Sequence, residues 1–153
     1  MDTPELPSVS AVNGPISHMI ARATKAHIGA AAGLLRKAGL TAGPELLLMV
    51  LWDRDGRSQA ELGKALGLDP STITAKVKTL ERDGLIVRTP DPADRRAMVV
   101  SLTEKGAALR PEVERIWAEL EAVTTRGFSD RQRAEFLRML RRVEANLLAP
   151  QEQ

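Results

Sequence analysis

Between Ser71 and Arg82 the chain places hydroxyls and cations at spacings that a helix would gather on one side, and a second polar group, Asp94-Arg95-Arg96, follows. On a helix turning about 100° per residue, Ile73, Val77 and Leu80 fall together as an inward apolar face. Ser71, Ala75, Lys78 and Arg82 then point outward, flanked by Thr72, Thr74 and Thr79. Small residues permit close backbone approach, hydroxyls bond base edges or phosphates, and a helix N-terminus and basic side chains attract phosphate. An arginine such as Arg96 on an exposed tip suits a narrow, electronegative minor groove, and Asp94 is near enough in sequence to hold its guanidinium. Arg95 suits a phosphate. The chemistry such a pattern could do is recognition of double-stranded DNA; the bland alternative, a solvated helix face and a surface Asp94/Arg96 ion pair, stays open on these residues alone.

Other chemistries find little support. The chain has no cysteine, which removes disulfides, thiolate metal sites and thiol nucleophiles. His18 and His27 lie nine residues apart, on nearly opposite faces of a helix, so one ion cannot readily join them within a protomer. Gly63-Lys64 lacks the upstream glycine and the following Ser or Thr of a phosphate loop, and no His-Glu metalloprotease pattern occurs. No catalytic, cofactor or metal site is expected. Net charge is +2 with a pI near 9.3, but from Lys76 to Arg110 eight basic residues stand against five acidic ones. The excess is local.

The elements that must position these residues are punctuated explicitly. Ser58 with Glu61 is a capping box opening a short helix, about Gln59 to Leu66, that Gly67 ends. Asp69 and Pro70 supply the N-cap and first-turn proline of the next helix, which runs to Asp83 before Gly84. Extended runs follow at Leu85-Ile86-Val87 and Met98-Val99-Val100, separated by the charged, turn-rich Thr89 to Arg96: a β-hairpin with a long tip. Upstream, helical spacing runs from Ile16 to Ala38, and a strongly apolar helix from near Thr41 to Trp52. Downstream, one helix carries Leu109, Val113, Ile116, Leu120 and Val123, and a last one, opened by Ser129 with Gln132, carries Phe136, Leu140, Val143 and Leu147.

In order and spacing, Gln59-Ala60-Glu61-Leu62, Leu68-Asp69-Pro70-Ser71-Thr72-Ile73-Thr74, Leu80-Glu81-Arg82-Asp83-Gly84-Leu85-Ile86-Val87-Arg88, Asp94-Arg95-Arg96 and Leu102-Thr103-Glu104-Lys105-Gly106 resemble the MarR family of bacterial regulators. The Asp-x-Arg followed by Leu-Thr-x-x-Gly is the most specific part. The resemblance spans roughly Ile16 to Leu148. It implies a two-fold homodimer built on long terminal helices, with the recognition helix in the major groove and the wing arginine, Arg96 paired with Asp94, in the minor groove. It also implies a small-molecule effector in a cleft between the DNA-binding lobe and the dimer body. No residue identifies that effector.

The expected fold class is therefore mainly α: a winged helix-turn-helix with a small β-hairpin wing and a helical dimerisation region formed by the N- and C-terminal helices. Residues 1–15 read as a disordered leader without signal-peptide order, and 16–148 as a single domain. Within it 41–102 form the DNA-binding lobe, 16–39 and 103–148 the dimerisation helices, and 149–153 a frayed tail. The longest apolar run, Leu46 to Trp52, is far short of the roughly 20 residues that cross a bilayer, so a cytoplasmic location without membrane contact is expected. The function expected is that of a sequence-specific transcriptional regulator, a dimeric repressor on a near-palindromic operator, and not an enzyme. The alternative is a winged-helix protein-interaction module without specific DNA binding.

Overall fold

Four helix starts among the described residues are set by side chains that satisfy backbone N–H groups left over at a first turn. The computed structural model describes residues 5–41 and 43–150. In it the Ser58 hydroxyl accepts from the Glu61 N–H at 3.1 Å while the Glu61 carboxylate accepts from the Ser58 N–H at 3.0 Å. This box opens α4 (Gln59–Leu66). Gly67, at φ 63°, turns the chain in the left-handed region that glycine tolerates best. Asp69 then caps α5 (Pro70–Arg82), and Ser129 with Gln132 opens α8 (Asp130–Leu148) by a second box.

The other helices are α1 (Ser8–Asn13), α2 (Pro15–Lys37), α3 (Glu45–Asp53), α6 (Glu104–Ala108) and α7 (Arg110–Thr124). Strands β2 (Ile86–Pro90) and β3 (Met98–Leu102) form the hairpin, with Ile86 opposite Leu102 and Pro90 opposite Met98. A third strand, β1 (Arg57–Ser58), pairs antiparallel with β3, giving the order β1-β3-β2. The sequence reading missed it because two residues carry no periodicity and Ser58 already serves as a cap.

Two further differences have local causes. The single helix expected after Thr103 is split at Leu109 into α6 and α7, because Pro111 has no N–H to continue the ladder and fits only a first turn. Of the leader expected to be disordered, residues 1–4 lie outside the described residues, while Ser8–Asn13 are helical and packed beside the start of α2. Pro7 sets the extended entry, and the Asn13 amide donates to the Val9 carbonyl at 2.9 Å. Of the tail, residues 151–153 lie outside the described residues.

One core joins Leu47, Leu48 and Leu51 of α3 and Leu62 of α4 to Ile73, Val77 and Leu80 of α5, closed by Leu85, Ile86 and Val100. A second buried layer runs between α2 and α7, through Leu35, Val113, Ile116 and Leu120. By contrast α8 contains no buried residue.

Candidate nucleic-acid interface

Helix α5 buries the face that periodicity selects: Ile73, Val77 and Leu80 are at most 2% exposed. Ser71, Ala75, Lys78 and Arg82 are exposed, with Thr72, Thr74 and Thr79 half-buried beside them. The hydroxyls, however, are already engaged. Ser71 Oγ donates to Asp69 Oδ1 at 2.6 Å, Thr72 Oγ1 to Asp69 Oδ2 at 2.7 Å, and Thr74 Oγ1 to the Pro70 carbonyl at 2.8 Å. Each keeps lone pairs that can accept from a base amino group. Donating to a phosphate requires breaking one of these bonds.

Asp69 is thus more than a helix cap. The hydroxyls of Ser71 and Thr72, and then the Thr72 N–H, hold its carboxyl far below the usual carboxylate range, so it stays ionised at the helix start. Gln59 Nε2 donates to Thr74 Oγ1 at 3.3 Å and ties α4 to the same face. Sequence reasoning found Asp69 only as a cap and missed Gln59, whose position at the start of α4 was its one signal. Of the cations, Lys78 is exposed, and Arg82 lies 3.3 Å from Asp83 in a solvent-open pair that holds it weakly.

The wing is braced against α5. Arg88 on β2 grips Glu81 bidentately, Nε to Oε2 at 2.9 Å and Nη2 to Oε1 at 3.0 Å. The pair lowers the Glu81 carboxyl below its ordinary value and raises the Arg88 guanidinium. At the tip, Asp91 N–H donates to the Ala97 carbonyl, and Ala97 N–H to the Asp94 carbonyl, at 2.9 and 3.0 Å. Asp94, Arg95 and Arg96 are all exposed there. Asp94 does not hold the Arg96 guanidinium as expected: its carboxylate accepts the Arg96 backbone N–H at 3.0 Å. A carboxylate two residues back in a turn reaches the backbone first. The Arg96 side chain makes no ion pair among the described residues.

Behind this surface, α6 is locked to the turn between α5 and β2. Thr103 Oγ1 donates to the Gly84 carbonyl at 2.6 Å, Lys105 Nζ to the Asp83 carbonyl at 3.0 Å, and Trp52 Nε1 to the Gly106 carbonyl at 3.0 Å. A cavity of about 30 Å³ adjoins the lock, lined by Leu35, Pro44, Glu45, Asp83, Leu85 and Val113 among others. The buried Glu45 accepts the Gly43 N–H at its rim.

Known proteins share this fold. Residues 40–98 match the model of the MarR family. An organic hydroperoxide resistance transcriptional regulator of Bacillus subtilis is 38% identical over 77 residues, half of this chain. The chain spans about half the length of that relative, 52%. The transcriptional repressor NicR of Pseudomonas putida is 30% identical over 132 residues, 86% of this chain and 84% of the relative. Among solved structures, Bordetella bronchiseptica BpsR, whose DNA binding is regulated by 6-hydroxynicotinic acid, superposes with a TM-score of 0.79 at 25% identity, covering 93% of this chain and 98% of that one. The match to the family model, with a fold and sequence shared along nearly the whole chain, places this protein in the MarR family of transcriptional regulators.

Proposed function

We infer that this protein is a homodimeric repressor that binds a near-palindromic operator in double-stranded DNA. Ser71, Thr72, Thr74, Ala75, Lys78 and Arg82 face the major groove, while Arg96, shaped by Asp94 and joined by Arg95, enters the minor groove. The observation that carries the reading is the exposed face of α5 beside a braced wing whose Arg96 guanidinium is unpaired among the described residues. Residues 41–102 serve as the DNA-binding lobe, with 16–39 and 103–148 as dimerisation helices. Exposed Ile16, Met19 and Ile28 on α2 and Phe136, Leu140 and Leu147 on α8 support that division, since an apolar strip of this length favours burial against a second copy.

A small-molecule effector acting between the lobe and the dimer helices completes the reading, supported by the regulation of BpsR DNA binding by 6-hydroxynicotinic acid. A cytoplasmic site of action follows from it, and none of the described helices is long and apolar enough to cross a membrane. The test is selection of bound duplexes from a random-sequence pool, followed by a salt titration on the winner. Enrichment of a two-fold site with half-sites about one helical turn apart supports the reading. No enrichment at low salt removes it in favour of a protein-docking winged helix.

A further inference from the structure

The positive charge of this chain is not confined to the stretch from Lys76 to Arg110 that carries the recognition helix and wing. Residues 40–102 hold nine basic and nine acidic side chains, a net of zero. Residues 126–148 hold six arginines and no lysine against Asp130, Glu135 and Glu144, a net of +3, which exceeds the +2 of the whole chain. All six arginines are exposed.

Helix α7 shows how this protein neutralises arginines when it does so. Arg110 meets Glu114 at 2.6 Å, and Arg115 meets Glu112 at 2.8 Å and Glu119 at 3.4 Å. Among the described residues, no arginine of α8 takes part in an ion pair. Around α8, Arg131, Arg138 and Arg142 lie within about 40° of one another and span about 16 Å of the axis. Arg141 flanks them, and Glu135 borders the ridge and offsets one charge. Phe136, Leu140, Val143 and Leu147 occupy roughly the opposite side. Covering that apolar seam leaves the arginine ridge at the surface.

We propose that the ridge is a second, sequence-independent DNA-contacting surface, which holds a duplex segment other than the one read by α5. Three features select a phosphate backbone as its occupant. The charges are all guanidinium, whose planar fork matches phosphate oxygens. They form a line along a helix, as phosphates do along a strand. The lobe as a whole is neutral, so beyond the local excess of its helix and wing it offers little net attraction to DNA, and the ridge supplies a second, separate excess. The charge and exposure that carry this inference are independent of the operator reading.

The experiment titrates a short labelled duplex of arbitrary sequence into the full protein, both free and saturated with any operator that selection yields. Wild type takes up the labelled duplex in both states at about 50 mM salt. R131Q/R138Q/R142Q lowers the slope of log affinity against log salt by about 2.7, so its deficit relative to wild type shrinks by about 40-fold between about 50 and 200 mM salt. Operator affinity in that variant falls less than arbitrary-duplex uptake. R131K/R138K/R142K retains the slope, and equal melting temperatures confirm folding. Unchanged uptake by the glutamine variant, or no uptake by operator-saturated wild type, overturns the proposal. Polyglutamate displacing the labelled duplex more effectively than unlabelled DNA also overturns it and reassigns the ridge to an acidic protein. Loss of operator selection with retained ridge-dependent uptake removes the operator reading alone.

Discussion

Gly106→Ala tests how the lobe is joined to the helices behind it. A Cβ at this position would lie 2.0 Å from the Leu85 carbonyl oxygen, 3.0 Å from its carbon and 3.3 Å from Leu102 Cδ2. The nearest obstacle is backbone, and it is anchored: the Leu85 carbonyl accepts the Thr103 N–H at 3.1 Å. Relief requires α6 to lift by about 1 Å or more, which strains the Trp52–Gly106 and Thr103–Gly84 bonds together. Overpacking costs about 1–3 kcal/mol and each of the two weakened hydrogen bonds about 1 kcal/mol, so a loss of about 3–5 kcal/mol is expected. At about 2–4 °C per kcal/mol for a chain of this size, Tm falls by about 10 °C. Gly67→Ala is the control: it also disturbs a tight junction, but meets nothing within 4 Å and bears only the left-handed φ of 63°. Its cost is about 1–2 kcal/mol. Urea unfolding of both variants decides the matter, and a Gly106→Ala loss no larger than that of Gly67→Ala refutes the close-approach argument.

Arg96→Ala weakens operator binding by about 1–3 kcal/mol, read by titration against the selected site, with discrimination relaxed where the wing sits. Leu140→Arg places a charge in the apolar strip of α8, and on the proposed homodimer reading sedimentation at micromolar concentration should find dimer for wild type and monomer for the variant. Asp69→Asn lowers stability by a margin that depends on pH with a definite sign. Because the folded carboxyl is held below its unfolded value, its contribution is present above the ordinary carboxylate range and is lost as pH falls through the lowered value. The gap between wild type and variant is therefore flat from about pH 8 to 5 and closes below about pH 4, measured by urea unfolding.

The parts of the fold that were legible were those with local physical signals. Capping boxes at Ser58/Glu61 and Ser129/Gln132 located two helix starts to the residue, and the spacing of Ile73, Val77 and Leu80 identified the buried face of α5. What escaped depended on neighbours distant in sequence or on competition between donors. Strand β1 exists only because β3 pairs with it. The Asp94 carboxylate had two partners on Arg96 within reach, and spacing alone could not show that the backbone N–H would take it. Likewise, hydroxyls on the outer face of α5 were visible as residue types, but their donation to Asp69 and Pro70 was not.

Under the proposed function, that donation bears on what α5 can offer to DNA. With the protons of Ser71, Thr72 and Thr74 directed inward, the N-terminal part of the helix offers acceptors, while Lys78 and Arg82 further along offer donors. The two halves therefore suit different groups: amino edges of cytosine or adenine at the front, and phosphates or guanine edges at the back. The Glu81–Arg88 grip transmits this division to the wing, since β2 cannot rotate away from α5 without breaking two charge-assisted bonds. The lock of α6 onto Asp83 and Gly84 bears on the same turn from behind. The adjoining cavity, at about 30 Å³, has room for no more than a few waters. Any larger occupant must move α2, α3, α7 or the Asp83–Leu85 turn. Displacing that turn shifts the C-terminal end of α5 and the root of β2 together, so helix and wing change their aim as one unit.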